Sequence, residues 1–256
     1  MDTKQQNRLK ELFNSGEKLK SADFTARPKK KSMFIHQTWK DYDVPRHIYK
    51  ESWQESWKNM NPEWEYKFWT DEDNERLVRD DYPMFWDTFK KVEKGVVKSD
   101  LCRPLYLHKY GGMYADMDFI CLKDMTPLLD LLDNCIVLGK HNNPRQPLPN
   151  AWMYSPRGDG FWLNVSYDSF IDIDNHISSR TPFQSVEKIA GPDRLNWAVK
   201  THRPNHTELA HNLVYPRAWG VEECDNHASN VNWDSVEDIK RAYPDSFAVT
   251  PWTHNW

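Results

Sequence analysis

The spacing of apolar and polar positions changes at one place in the chain, and the elements on either side of that change organise the rest. Val97, Leu101 and Leu105 recur every four residues, the spacing of one helix face, while Asp100 and Arg103, three apart, share the neighbouring face. Gly111-Gly112 follow Lys109-Tyr110 where that helix should end, because glycine takes the left-handed conformation without a Cβ clash. From Met113 to Leu122 the period is two, so Tyr114, Asp116 and Asp118 point to one side of a strand and Met113, Ala115, Met117 and Phe119 to the other. A helix-borne acid and base are thus aimed at the same region as an aromatic ring and two strand-borne carboxylates. Alternate strand residues lie roughly 6–7 Å apart. Both carboxylates address one ion only if the strand bends; otherwise one ligates directly and the other acts through water or a ligand hydroxyl. Carboxylate oxygens suit hard cations, Mn²⁺ or Mg²⁺, which share their coordination with substrate phosphates, so a diphosphate-bearing ligand is expected.

The same pattern reading orders the remaining chain. Residues 4–20 carry Leu9, Leu12 and Phe13 at helical spacing, and Arg27-Pro28-Lys29-Lys30-Lys31 reads as a solvated basic linker, so 1–31 stand apart from a single domain over 32–256. Met33-Phe34-Ile35 predicts a buried first strand whose C-terminal end opens into the loop of Thr38 and Trp39. Trp53 to Trp69 reads as helix, Asn61-Pro62 turn and strand, and Thr70-Asp71-Glu72-Asp73 as a capped helix start. A helical turn at Leu128–Leu132, a buried strand at Ile136-Val137-Leu138, a proline-rich loop over 141–150 and a helix after Gly160 follow. Gly191-Pro192-Asp193 reads as a turn into a helix. Pro104 breaks the pattern: a proline inside a helix costs about 3 kcal/mol outside the first turn, so the helix either begins late, near Arg103, or is kinked at the site. Strands alternating with helices predict an α/β fold, and in open sheets of that class ligands bind off the C-terminal strand ends.

Composition narrows the function classes. The 256 residues carry 34 Lys+Arg against 38 Asp+Glu, a formal charge of −4, which gives nucleic acid no electrostatic purchase. Thirteen Trp and eleven Tyr supply flat rings for bases and sugar faces as well as for a core. Four cysteines, Cys102, Cys121, Cys135 and Cys224, show no C-x-x-C pairing and are too sparse for a disulfide framework, which suits a reducing compartment. No stretch approaches the ~18 apolar residues of a membrane span, and MDTKQQNRLKEL lacks an apolar leader core, so a cytoplasmic protein without a transmembrane segment is expected.

Asp100-Leu-Cys-Arg103 followed by Gly111-Gly112-Met-Tyr114-Ala-Asp116-Met-Asp118 resembles the D-x-x-R…G-G-x-Y-x-D-x-D signature of the DXD-containing sugar transferases of glycosyltransferase family 32. That group includes yeast α-1,6-mannosyltransferases, and clostridial toxin glucosyltransferases share the signature more distantly. The resemblance implies a GT-A type, Rossmann-like mixed sheet flanked by helices. It further implies transfer of a hexose from a GDP- or UDP-sugar donor to a glycan or glycolipid acceptor, with Mn²⁺ or Mg²⁺ and with retention of configuration. On it, Asp118 binds the metal, Asp116 binds it through water or holds the ribose, Arg103 contacts the donor, Asp100 accepts bonds from sugar hydroxyls, and Tyr114 lines the donor pocket. Thr38 and Trp39 fall in the family's first block, where the aromatic stacks on the base; a merely packed Trp39 is the other reading. Asn150 matches a segment whose Asn reaches the active site, or it simply opens a strand. At the C-terminus Thr250 and Pro251 replace the family's usual histidines. His254 remains as a candidate third metal ligand, against an idle exposed side chain, and Trp256 as a donor contact.

Two other classes use parts of the pattern. Phosphatases of the haloacid dehalogenase type place D-x-D at a strand end with the first Asp as nucleophile, yet Phe119-Ile120 follow here where a small residue is preferred. A non-catalytic carbohydrate-binding module would employ the tryptophans but gives no reason for acids beside Arg103.

Overall fold

The computed structural model describes residues 32–132, 135–141, 143, 145–180, 185–217 and 231–253, together with Asn7, Glu11 and Ser15. Of the expected N-terminal helix, only those three isolated positions are described, all helical and exposed; the basic linker lies outside the described residues. The first strand, β1 (Phe34–Thr38), runs parallel to β2 (Glu65–Trp69) on one side and to β3 (Gly112–Ala115) on the other. Beyond β3 lie β6 (Trp152–Ser155), β5 (Ile136–Gly139) and β7 (His206–Leu209), giving the order β2-β1-β3-β6-β5-β7 with both β6 pairings antiparallel. A two-stranded ribbon pairs β4 (Ile120–Cys121) with β8 (Ala248–Val249).

The chain leaves β1 through α1 (Glu51–Met60) to reach β2, then returns past β1 through α2 (Asp71–Asp81), α3 (Pro83–Phe89) and α4 (Gly95–Lys109) to place β3 on its other side. The direction of winding reverses at β1, and a crevice opens there between the C-terminal ends of the two parallel strands β1 and β3. The inner strands β3, β5 and β6 are buried along their whole length and mostly apolar, while the edge strands β2 and β7 carry polar residues. Period two sorts them: Ile35, Met113, Ala115, Val137, Trp152 and Tyr154 pack on one face with Trp57 and Phe119. Tyr114, Ile136, Leu138 and Met153 pack on the other, with Leu101 and Leu105 of α4 and Phe170 of α6 (Gly160–Ser179).

Local chemistry sets the element ends. Thr70 caps α2 through a reciprocal capping box with Asp73, as the sequence predicts. Gly111 and Gly112 hold φ of +67° and +88°, ending α4 and turning the chain directly into β3. Two expectations need correction. The helix does not begin near Arg103: it starts at Gly95 and runs through Pro104, fully buried, so the missing proline N–H falls opposite the carbonyl of Asp100, four residues back. Nor does one strand span Met113 to Leu122; pairing stops at Ala115, the Phe119 amide bonds back to the Asp116 carbonyl at 3.0 Å, and the chain resumes as β4. Asp116 and Asp118 therefore sit on a turn, and this is the bend that lets both face one cavity.

Candidate functional site

Because β1 and β3 are parallel neighbours with His36 opposite Tyr114, the residues after each strand emerge side by side. Thr38 and Trp39 leave one, Asp116 and Asp118 the other, and with Tyr114 and Arg103 they border a cavity of about 330 Å³ at the sheet's reversal point. The cavity floor is fixed by buried polar ties. Gln37 donates from its Nε2 to the Asp116 carbonyl at 3.0 Å and accepts the Tyr66 hydroxyl at 2.7 Å. Thr38 Oγ1 donates to the Trp69 carbonyl at 3.0 Å and accepts from Asn74 at 3.3 Å. His36 plugs the core: burial holds its imidazole down to about 4, its Nδ1 accepts from Trp69 Nε1 at 3.1 Å, and its Nε2 therefore donates to the Gly111 carbonyl at 2.8 Å.

Arg103 is the hub. One terminal nitrogen lies 3.0 Å from a carboxylate oxygen of Asp100 and 3.0 Å from one of Asp116, while the other donates to the Asn150 carbonyl at 3.1 Å. The guanidinium carbon sits 4.8 Å from the Tyr114 ring centroid, and the Tyr114 hydroxyl donates to Asp116 at 2.6 Å. Asn150 returns to Asp100 through its amide at 3.2 Å. Asp118 stands apart from Arg103 and is held by the Thr253 amide at 3.0 Å and hydroxyl at 3.3 Å. Asp100, Arg103, Asp116 and Asp118 are only 5, 4, 6 and 7% exposed. Burial pushes Asp100 and Asp116 up to about 6 despite Arg103, and it raises Asp118 as well, against the bonds from Thr253. Burial works against the guanidinium charge too, but Asp100 and Asp116 outweigh it and Arg103 holds its proton more tightly than usual.

The site thus holds three buried carboxylates and one guanidinium, which pairs with Asp100 and Asp116 and not with Asp118, leaving two negative charges unmatched when all are ionised, the charge of one divalent cation. The donor set is all oxygen, which fits Mn²⁺ or Mg²⁺, and Asp116 and Asp118 share the larger cavity. Among the described residues no group of three metal-ligating side chains occurs, and Asp116 and Asp118 are the two that share this cavity. The Nε groups of Arg103 and Trp39 are buried without a partner, two donors that a ligand in this cavity would satisfy. Trp39 is half-buried, its ring 4.9 Å from that of Tyr49 and tilted by 59°. His254 and Trp256 lie outside the described residues.

The sequence reading missed Tyr49, which lines the cavity and packs directly against the Trp39 ring, and Thr253, which ties the C-terminal segment to Asp118. It also missed a second cavity of about 230 Å³ on the far side of Arg103 and Asp116.

The fold is that of GT-A glycosyltransferase domains. Residues 49–136 match the family described as the glycosyltransferase sugar-binding region containing a DXD motif. Its particular relatives include inositol phosphoceramide mannosyltransferase 3 of Schizosaccharomyces pombe, 37% identical over 98 residues, which cover 37% of this chain and 26% of that protein. Mannosyl phosphorylinositol ceramide synthase SUR1 of Saccharomyces cerevisiae is 36% identical over 107 residues, 42% of this chain and 28% of that protein. The chain thus spans little more than a quarter of the length of these two relatives. Among solved structures, the UDP-bound glycosyltransferase domain of the YGT toxin superimposes with a TM-score of 0.52 at 9% identity, covering 70% of this chain and 79% of that one, a likeness of fold. No described helix is long and apolar enough to cross a membrane.

Proposed function

We propose that this chain is a divalent-metal-dependent glycosyltransferase that moves a hexose from a GDP- or UDP-sugar to a hydroxyl of a glycan or glycolipid acceptor, with retention of configuration. The observation that carries the reading is the pair of unmatched negative charges at the reversal point of the sheet, beside one partly unsatisfied guanidinium and one partly buried tryptophan. The relatives' printed activities, mannosyl transfer to inositol phosphoceramides, point the same way.

On this reading Trp39 stacks on the base, and the Thr38 loop, held by Asn74 and Trp69, fixes where that ring stands. Asp118 and Asp116 would hold the cation, which when bound neutralises the diphosphate as a Lewis acid. Arg103 presents its unsatisfied Nε–H to the donor while Asp100 and Asp116 hold one terminal nitrogen and the Asn150 carbonyl the other, so the positive charge is already oriented before charge develops on the leaving oxygen. Asp100, anchored by Asn150, accepts bonds from hydroxyls of the sugar. Tyr114 supplies a wall of the donor pocket and keeps one oxygen of Asp116 occupied, leaving the other for the cation.

A thermal-shift screen of GDP- and UDP-sugars in Mn²⁺ tests the assignment, paired with measurement of nucleotide release. The wild-type protein should be stabilised by one nucleotide class only when Mn²⁺ is present, and Asp118→Asn should lose both stabilisation and release. Turnover of a phosphomonoester, or glycan binding indifferent to Mn²⁺, would overturn it.

A further inference from the structure

We infer that the 230 Å³ cavity beyond Arg103 is the acceptor site, that it takes a neutral polyhydroxylated ring, and that His141 and Glu187 recognise that ring's hydroxyls. This rests on the proposed transferase reading and goes beyond it by naming the acceptor's chemistry and the residues that select it.

The cavity meets the donor cavity along Val96, Arg103 and Asp116, so a sugar held at Asp100 and Arg103 faces both. Its outer part is built by three segments far apart in sequence. His141 follows β5, Glu187 begins the short helix α7 (Val186–Ile189), and Trp252 comes from the C-terminal segment. The walls are Pro147, Pro149 and Pro192, rigid apolar surfaces of the kind that pack against the C–H faces of a ring. The size suits one ring rather than a drug-sized ligand, whose pockets run from about 300 Å³ upward.

The polar groups are few, and those not already engaged with protein neighbours are mostly acceptors. His141 is stacked on Trp252 at 5.5 Å and 30°, and Tyr215 lies 5.7 Å away, so its imidazole plane is fixed. Burial holds it down to about 4, so it is a neutral ring near pH 7, with one nitrogen that accepts a hydrogen bond; its Nδ1 is buried and unpartnered. Among the described residues the Glu187 carboxylate makes no hydrogen bond or ion pair, and it is exposed at the mouth of the cavity. Both groups accept, as does Asp100 deeper in, and Arg103, the lone cation of the lining, is already committed to two carboxylates. A lining dominated by acceptors favours a ligand rich in O–H donors and repels a phosphate or carboxylate. An anionic headgroup is therefore expected to keep its charge outside the cavity and turn its hydroxylated ring inward.

The C-terminal segment couples this cavity to the first. Trp252 holds a positive φ of 59°, costly for a residue with a Cβ, and the next residue, Thr253, donates its amide to Asp118. The same short piece of chain thus stacks on His141 on one side and steadies the metal-side carboxylate on the other.

The test separates nucleotide release in water from release accelerated by an acceptor, with the nucleotide sugar selected by the thermal screen, Mn²⁺, and myo-inositol, methyl α-mannoside or inositol 1-phosphate as probes. The neutral polyols should accelerate release and become glycosylated, whereas inositol 1-phosphate should be accepted only through its hydroxyls and more weakly. Glu187→Ala and His141→Phe should leave basal release unchanged and raise the polyol KM about tenfold or more, the loss of a hydrogen bond to a charged or fixed acceptor. His141→Gln should recover part of the loss, which a purely structural role would not allow. Basal and accelerated release falling together in both variants, or no polyol responding while basal Mn²⁺-dependent release persists, would overturn the acceptor assignment and leave the transferase reading standing. Absence of Mn²⁺-dependent release altogether would remove the transferase reading itself.

Discussion

Replacing Arg103 with methionine removes the one cation shared by Asp100 and Asp116 while keeping most of the apolar stem. The cost is set by what the two acids do next. With Arg103 present both titrate at about 6, so at pH 7 they are mostly ionised. Without it they take up protons instead of standing as buried uncompensated charges. Taking up a proton at pH 7 is unfavourable for each acid, so the variant should lose stability at pH 7, on the order of the roughly 3–5 kcal/mol seen when one partner of a buried pair is removed. At pH 5 the acids of the wild-type protein already carry their protons, and the same substitution should cost close to nothing beyond packing. Urea unfolding of both proteins in EDTA, at pH 5 and pH 7, measures the two differences. A loss of equal size at both pH values would show that Arg103 acts through packing alone, and no loss at pH 7 would refute the claim that it holds the acids ionised.

Two further predictions use groups away from the cation. His36 titrates at about 4 in the folded chain against 6.5 when free, so the unfolded state binds the extra proton between those values and the fold loses stability as pH falls through that window. Between pH 7 and pH 5 the loss from this residue is about 2 kcal/mol; Asp100 and Asp116 work in the opposite sense but are common to both proteins, so the stability gap between wild type and His36→Gln should shrink by that amount over the same interval in urea titrations. Gly112→Ala should abolish cooperative unfolding or lower the melting temperature by many degrees, because φ there is +88° and a Cβ would land on the Phe34 carbonyl in the neighbouring strand; a variant that melts like wild type by circular dichroism would mean that β1 and β3 are not paired as described.

What the sequence disclosed follows the range of the forces involved. Period and punctuation are local, so the capped α2, the glycine-terminated α4, the buried β5 and the aspartates beside an arginine were all readable from short windows. Pro104 misled because local cost was weighed without tertiary burial. Leu101, Cys102, Leu105, Tyr106 and Leu107 are all essentially inaccessible to water, and burying that much apolar surface outweighs one proline. The break after Ala115 was invisible for a related reason: period two continues through Phe119 whether the chain is paired or turning, and the Asp116 carbonyl is taken out of the ladder by the Phe119 amide and by the Gln37 side chain, nearly eighty residues upstream. Residues contributed across the fold were the least legible. Thr253 reaches Asp118 from the opposite end of the domain because β8 pairs with β4, and Phe247 accepts from the Leu122 amide at 2.8 Å, carrying the C-terminal segment over the site. That pairing is what makes the C-terminal stretch part of the chemistry. The ribbon fixes where Thr250 and Pro251 fall, Trp252 turns with positive φ, and the amide that follows is delivered to a carboxylate which Arg103 does not reach. Asp100 and Asp116 are tuned by a helix and a strand within twenty residues of each other. Asp118 is tuned by the far end of the chain, so a change in the C-terminal segment alters the carboxylate expected to bind the metal while leaving the Arg103 network intact.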